Sequence, residues 1–582
     1  MRIRIYRVIL SVFFILLALS LFYTQVFRGG HFYELGLKNT IRLIPEEPYR
    51  GRIFDRNNNC MADNVLSFDA VIIPQELKNK QVVFEKLAHL LSCPSGQVYK
   101  KYDRGYLNPF TPVSIATGIP KTTAIAIEEQ GLDLPGVTIE LNAKRFYPHA
   151  SVASHVLGYL GEIDKSRITK LKEYGYEVKD KIGFSGLEGK LDIYLRGERG
   201  GQQIEVDNRG RQTRLLGYRP PQIGEDVRLT IDLEIQEIAD QLLQGKKGAI
   251  IIMDVVTGEI LSLSSAPAYD PNVFIDRQDQ RSLNYYLDSE DAPLFNRAIS
   301  GRFPPGSIFK TITALAALKT KKAREATTFD CKGRLRIGNR DFKCWATHGP
   351  QDFFHAVGHS CDVYFYQLGL IAGADGLTNM AHEFGLGATT GIDLLEESSG
   401  FIPSRLWKRL VHFEGWYDGD TANFSIGQGY VLVTPLQLAR LMATVANGGY
   451  LVEPHLTKAI GGADVVVRPP KKIKVSKEDL DLLRESLRYP VHMEDGTAHN
   501  LDIAGLEICA KTGTAQIHNG ASHGWVAGFF PLSAPRFAFC ILLENVGTSH
   551  AACDLARQLF EEALKGRSFH RPRSQRRLFG AP

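Results

Sequence analysis

The chain has 582 residues, 44% of them apolar and 23% charged, with a formal net charge of +5. That length supplies several cores and implies more than one domain, while so mild a charge excludes a protein built to neutralise nucleic acid. Eight cysteines in so long a chain do not make a disulfide framework.

Residues 8–27, VILSVFFILLALSLFYTQVF, carry no charge, and at about 1.5 Å per residue they reach across a hydrocarbon core of about 30 Å. Arg2, Arg4 and Arg7 precede them, which predicts a cytoplasmic segment at 1–7 and the bulk of the chain on the far side. A cleaved signal peptide is the alternative, but the one small-x-small triplet, Ala18-Leu19-Ser20, is followed by further apolar residues through Phe27, as in an uncleaved anchor. From 28 to 221 short apolar strands alternate with glycine-rich turns and polar loops, which reads as a stalk. A second large domain is predicted from 222: Val227–Asp232 alternates like a strand, a helical stretch follows from Leu233, and Lys247–Ser265 reads as two antiparallel strands joined at Thr257-Gly258.

Phe303–Leu318, FPPGSIFKTITALAAL, holds the first chemistry. Two prolines and a glycine suit the approach to a helix and not its interior, so a helix is predicted from about Ser307, with Ile308, Phe309, Ile312, Leu315 and Leu318 at helical spacing. Lys310 lies one turn on, on the same face. A serine hydroxyl attacks an acyl group only where a base takes its proton, and an amine serves if burial and the positive end of a helix disfavour its ammonium form. Ser-x-x-Lys alone usually marks a solvated surface pair; the Pro-Pro-Gly approach and the apolar helix set this one apart.

Cys331, Cys344 and Cys361 crowd the next stretch with His348. Cys344 and His348 are four apart, so one helical turn would present both to the same side. Three thiolates and an imidazole complete a tetrahedral shell for structural zinc with no position open to catalysis, and Asp341 is a substitute ligand if Cys344 points away. A Cys331–Cys344 disulfide and three buried free thiols are the alternatives. Ser360-Cys361-Asp362 follows. Between Gln428 and Asn447 a helix starts at a Thr-Pro cap. Lys511-Thr512-Gly513-Thr514 closes a predicted strand from Leu506, and His523–Phe530 and Phe537–Glu544 read as two more. Residues 567–582 carry Arg567, Arg571, Arg573, Arg576 and Arg577 and no acid, a run that reads as solvated and disordered, with contact to anionic envelope polymers as the alternative.

Ser-x-x-Lys, Ser-x-Asp and Lys-Thr-Gly, in this order and at this separation, resemble the motif set of penicillin-binding proteins and serine β-lactamases. Arg50-Gly51-Arg52-Ile53-Phe54-Asp55-Arg56, Arg145-Phe146-Tyr147-Pro148, Gly186-Leu187-Glu188 and Leu195-Arg196-Gly197 resemble the pedestal of class B members, the monofunctional transpeptidases. In physical terms these pieces read as buried arginine and glutamate pairs joining β segments. Asp362 stands where the superfamily commonly has asparagine. It cannot donate an amide hydrogen bond but can hold a lysine ammonium, and the Ser-x-Asp form is similar to the elongation-type subfamily, penicillin-binding protein 2, more than to division-type proteins.

The resemblance implies an α+β architecture: a single N-terminal transmembrane helix, an elongated β-rich pedestal of dimerisation type at 28–221, and a transpeptidase domain at 222–566 with an antiparallel sheet and a helical cluster. It implies Ser307 as nucleophile, Lys310 as its base, and Ser360 as the bridge that passes a proton to the leaving amine. Asp362 belongs to the site; Lys511 and Thr512, with Gly513 and Thr514 on the same strand edge, hold the substrate's terminal carboxylate, and backbone N–H groups of Ser307 and Thr514 form the oxyanion hole. The implied reaction is D,D-transpeptidation of peptidoglycan stem peptides during cell-wall elongation, through an acyl-serine and blocked by β-lactams, with no cofactor in the chemistry. The implied setting is the inner membrane with the bulk of the chain periplasmic, beside a SEDS-family glycan polymerase and a rod-shape scaffold. Some members carry a metal in the cysteine segment, with varied ligands. The rival readings are a D,D-carboxypeptidase or β-lactamase-like hydrolase and a membrane-anchored β-lactam sensor or scaffold. The retained anchor, the large pedestal and the lack of an obvious deacylating glutamate weigh against the hydrolase, and the short segment before the span weighs against the sensor.

Overall fold

An unbroken apolar run forms the N-terminal helix, Arg2–Phe22, which continues through a π-helical turn, Tyr23–Phe27. The computed structural model describes residues 2–32, 41–107, 109, 111–163, 168–171, 173, 175–176, 180–206, 212–276, 279–516 and 520–565; the expected basic tail lies outside the described residues. Ile3–Phe27 is long and apolar enough to cross a membrane by length and composition, and none of it is buried against protein. The helix starts ahead of the uncharged run because Arg4 and Arg7 are good helix formers whose long side chains can lead their charge away from an apolar surface.

The chain forms two compact units whose segments alternate in sequence, one made of 1–51, 64–144 and 196–224, the other of 52–63, 145–195 and 225–582. In the first, Ile41–Glu46, Gly200–Val206 and Gln212–Arg219 form a three-stranded antiparallel sheet. Helices Lys80–Leu90 and Ser95–Gly105 turn Val83, Phe84, Leu87, Val98 and Tyr102 into a separate core with Ile72, Val113 and Ile115.

In the second unit Val227–Leu229 pairs in parallel with Ile53–Phe54 and antiparallel with Thr457–Ile460. The buried Asp55 carboxylate accepts from the backbone N–H groups of Asn57, Asn59 and Leu233, fixing that strand to the start of helix Leu233–Leu242. Arg145 Nε meets Glu188 Oε1 at 2.6 Å, and the Tyr147 hydroxyl donates to the same oxygen at 3.1 Å. Within this unit the buried pair ties Arg145 to a short helix, Gly186–Lys190.

The main sheet is five-stranded and antiparallel, in spatial order Ile260–Ala266, Gly248–Asp254, Phe537–Leu543, Ser522–Phe530 and Cys509–Gln516. Its strands are apolar almost throughout because both faces are covered. Ile250, Ile252, Val526 and Phe539 pack into one core with helices Leu233–Leu242 and His550–Lys565, while Ile251, Met253 and Trp525 belong to the other, with Lys310–Lys319 and Pro435–Ala446. The predicted 247–265 hairpin is present, with Gly258 at φ +80° in its turn. Thr434 and Gln437 cap helix Pro435–Ala446 reciprocally, as its Thr-Pro start leads one to expect. The last motif thus falls on the edge strand, Cys509–Gln516, which begins later than Leu506 and runs two residues past Thr514.

Candidate active site

Pro305 and Gly306 lead into one tight 3₁₀ turn, Gly306–Phe309, and the α-helix proper begins at Lys310. Ser307 therefore stands in the turn ahead of the α-helix that was predicted to start with it; helix ends commonly tighten in this way. Gly306 has φ +54°, and a Cβ there would lie 2.9 Å from the Thr514 carbonyl oxygen. A Cβ on Gly513 would lie 2.8 Å from Pro305 O. Two glycines, one just before the first motif and one within the third, thus let the serine turn and the Lys511 strand touch backbone to backbone. Ile308, Phe309, Ile312, Leu315 and Leu318 are all buried. At about 1.5–3 kcal/mol for each large apolar side chain, they hold the turn in place. Phe309 stacks on Phe424 at 5.0 Å.

The second motif sits at a helix corner. Helix Phe353–Gly358 ends with Ser360 N–H donating to Val357 O at 3.2 Å and Cys361 N–H to Ala356 O at 3.0 Å. These two bonds make a Schellman cap, whose left-handed position normally holds glycine. Here it holds Ser360, at φ +53°. A side chain in that conformation costs about 1 kcal/mol or more and persists where its surroundings over-determine it. Lys310 supplies much of that constraint. Its Nζ donates to Ser360 O at 2.7 Å and lies 3.2 Å from Ser360 Oγ and 2.7 Å from Asp362 Oδ1. Asp362 opens helix Asp362–Glu383, where the helix's positive end favours a carboxylate. Burial is therefore not the whole of Lys310's environment, since a carboxylate stands at contact distance from an amine only 1% exposed.

Lys511 is equally buried, at 1% exposure, yet among the described residues its amine donates only to Thr512 O, at 3.3 Å. Burial pushes its ammonium well below lysine's ordinary pKa, the nearby Lys310 charge adds to this, and Asp362 offsets part of it. Thr512 Oγ1 lies 2.9 Å from Thr497 Oγ1. Ser307, Ser360, Asp362, Thr512 and Thr514 line one cleft of about 940 Å³. Asp341, Trp345, Asn423, Asp495 and Thr497 line it too, and of these the sequence singled out only Asp341. Asp495-Gly496-Thr497 reads as an ordinary turn, and no spacing ties it to the Lys511 strand.

Cys331, Cys344, His348 and Cys361 bring one ligand atom each to within 4.8 Å of one another. Cys331 ends strand Phe329–Cys331, which pairs with Gly349–Gln351, and Cys344 follows the hairpin Arg334–Ile337 and Arg340–Lys343. The shared helical turn predicted for Cys344 and His348 is not formed: they flank a loop, and strand pairing on either side makes them converge. Asp341 pairs instead with Arg334 and Arg336. No disulfide joins Cys331 to Cys344; all eight cysteines are free thiols. His348 Nδ1 lies 3.5 Å from both Cys331 Sγ and Cys344 Sγ. The Cys344 thiol is pushed down to about 4, first by hydrogen bonding with Cys361 and then by backbone N–H groups that include Asp362's, 3.2 Å from its sulfur. Cys361 is pushed up in turn, chiefly by the same partner. The cluster also reaches the second motif through Trp345, whose indole N–H donates to His359 O at 3.0 Å.

Residues 248–565 match the family described as Penicillin binding protein transpeptidase domain, and residues 45–229 match Penicillin-binding Protein dimerisation domain. The peptidoglycan D,D-transpeptidase MrdA of Acinetobacter baumannii is 33% identical over 562 residues, covering 93% of this chain and 84% of the relative. A solved complex of penicillin-binding protein PBP2 with MreC from Helicobacter pylori superposes with a TM-score of 0.82 at 29% identity, over 90% of this chain and 99% of that one. A chain from a peptidoglycan synthase complex that couples polymerization and crosslinking is 30% identical, with a TM-score of 0.73 over 96% of this chain and 98% of that one.

Proposed function

The chain belongs to the penicillin-binding protein transpeptidase family, and from that membership we propose that it is an elongation-type peptidoglycan D,D-transpeptidase working through an ester on Ser307. The Ser307 hydroxyl oxygen attacks the carbonyl carbon of a stem peptide's terminal amide. The new C–O bond replaces the C–N bond to the terminal D-alanine, and the serine proton passes by way of Lys310 and Ser360 to the departing amine. Asp362, 2.7 Å from Lys310, balances the charge the amine acquires as it takes that proton. An amine of a neighbouring stem then attacks the ester, a new amide forms, and Ser307 recovers a proton. Lys511 and Thr512 take the donor's terminal carboxylate, and backbone N–H groups of Ser307 and Thr514 receive the oxyanion where the serine turn abuts the edge strand.

One observation carries this reading. A single buried amine, Lys310, joins Ser360 and Asp362 at the wall of the cleft that holds Ser307. The carboxylates lining that cleft, Asp341, Asp362 and Asp495, each already have a partner in Arg336, Lys310 and His359, and no glutamate is among the described lining residues. That supports an acyl-enzyme that waits for an amine. The test is labelling with a fluorescent penicillin followed by mass spectrometry of the labelled peptide. The label is expected on Ser307 and absent from Ser307→Ala; undiminished labelling of that variant overturns the reading.

The apolar N-terminal helix supports a single-pass anchor, with Arg2, Arg4 and Arg7 on the cytoplasmic side and the bulk of the chain beyond the helix in the periplasm. The relatives found in complex with MreC and in a polymerising and crosslinking synthase support a rod-shape scaffold and a SEDS-family polymerase as partners here. The cysteine cluster fits a zinc ion. Zn–S bonds of about 2.3 Å and Zn–N bonds of about 2.0 Å in a tetrahedron set ligand atoms roughly 3.5 Å apart or a little more; His348 Nδ1 has that spacing to Cys331 Sγ and Cys344 Sγ, and all four ligand atoms lie within 4.8 Å of one another. Cys331, Cys344, His348 and Cys361 would hold the ion, which with four protein ligands would supply fold stability and no chemistry. Cys361 lies between Ser360 and Asp362, so the cluster's grip also holds the second motif. We expect about one zinc per chain by metal analysis and loss of that metal in His348→Ala, with a lower unfolding midpoint and slower acylation of Ser307. Metal-free protein that acylates at the normal rate would contradict this role.

A further inference from the structure

Thr497 lies outside all three motifs, yet its hydroxyl is 2.9 Å from that of Thr512. Resting on the acyl-transfer reading above, we propose that Thr497 is a positioning residue that lets Thr512 turn its hydroxyl hydrogen toward the donor's terminal carboxylate. A threonine hydroxyl has one hydrogen to donate and two lone pairs. In the free protein Thr512 O–H donates to Thr497 Oγ1, and Thr497 O–H donates onward to Gly358 O at 3.4 Å. A carboxylate only accepts, so when it arrives Thr512 must withdraw its hydrogen from Thr497. Thr497 then swings its own hydrogen from the long bond at Gly358 to the lone pair Thr512 exposes. The chain reverses direction and leaves neither hydroxyl of this half-buried pair stranded, and the charge-assisted bond at its end is strengthened by the one behind it.

The backbone keeps Thr497 where this requires. Its N–H donates to Gly358 O at 3.3 Å, and Gly358 closes the helix that leads into the Ser360 corner. Thr497 therefore ties the third motif to the second through one hydroxyl and one peptide group. Valine would keep the backbone bond and the shape and lose only the hydroxyl.

The test uses the full-length protein in detergent and follows acyl-Ser307 formation by mass spectrometry. Two donors are compared: an N-acyl-D-alanyl depsipeptide with a free terminal carboxylate, and the same compound capped as its carboxamide. Loss of one hydrogen bond that supports a charged one corresponds to about a tenfold change. Thr497→Val is expected to lower the preference for carboxylate over carboxamide about tenfold, mainly in the concentration dependence of acylation. Thr497→Ser should restore it to within about twofold. An unchanged preference in Thr497→Val, or equal slowing with both donors, assigns Thr497 a merely structural role and overturns the proposal. A melting curve separates misfolding from these outcomes, and in that case a preference lost in Thr497→Ser as well overturns it. Failure of the unsubstituted protein to be acylated by either donor or by penicillin would instead remove the acyl-transfer reading, and this proposal with it.

Discussion

Two lysines stand behind the lining of the cleft, equally buried and differently provided for. Lys310 meets a carboxylate at 2.7 Å and two oxygens of Ser360. Lys511 has, among the described residues, one carbonyl at 3.3 Å, and burial holds its ammonium well below the ordinary lysine range. An ammonium out of water is costly unless an opposite charge is supplied. On the Lys310 side the protein supplies that charge itself, through Asp362, for the ammonium formed when the amine takes the serine proton. On the Lys511 side it does not, and in the proposed reaction the missing anion is the donor's carboxylate. The first lysine is completed by the fold and the second, in that proposal, by the substrate.

The comparison is tested most severely at Lys310. Replacing it with methionine strands Asp362, and breaking a buried pair costs about 3 kcal/mol or more; loss of a positioned base slows acylation about a thousandfold. Both should appear, the first in denaturant unfolding and the second in penicillin acylation kinetics. Normal stability in Lys310→Met would show that the pair contributes nothing to the fold.

Ser360→Gly separates the ion pair from the relay. Glycine suits the left-handed cap better than serine does, so the unfolding midpoint should hold or rise, while removal of the hydroxyl slows acylation about a hundredfold. A fall in the midpoint would mean that the Ser360 side chain, and not its backbone, secures the corner.

Lys511→Met gives the reverse of Lys310→Met in stability alone. Removing a buried amine that lacks an acid should leave the unfolding midpoint unchanged or raise it, yet acylation by carboxylate-bearing donors should fall about thirtyfold. The smallest effect is in pH. A lysine whose folded pKa is depressed binds fewer protons in the folded than in the unfolded state between the two values. Its burial penalty is thus in force below the folded pKa and fades as pH rises toward the unfolded one. Carboxylate capture has the opposite need, since it uses the ammonium. Acylation by a carboxylate donor should therefore weaken as pH rises through the depressed pKa, which Lys310, Asp362 and Cys553 also influence, while the carboxamide donor should not follow the same curve. Identical profiles for both donors would take Lys511 out of carboxylate binding.

What the sequence determined by itself was whatever depends on neighbours along the chain. The apolar run of the N-terminal helix, the hairpin before residue 266, the Thr434 cap and the three motifs in order were all legible, because periodicity, turn chemistry and capping act over a few residues. The α+β architecture followed from these elements together with the resemblance the motifs carry. Tertiary structure decided the rest. Asp362 could be placed near a lysine from its chemistry, but only the packing of its helix brings it to 2.7 Å from Lys310. Cys344 and His348 converge through strand pairing and not through a helical turn, and Ser360 takes a conformation that serine avoids when left to itself. Residues 52–63 and 145–195 pack into the second unit although the stalk surrounds them in sequence. Thr497 left no mark at all, because a hydrogen bond between two hydroxyls requires only that two backbones be brought together. Which distant backbones meet is set by sheet order and by the burial of both faces of the sheet, and these are properties of the whole chain.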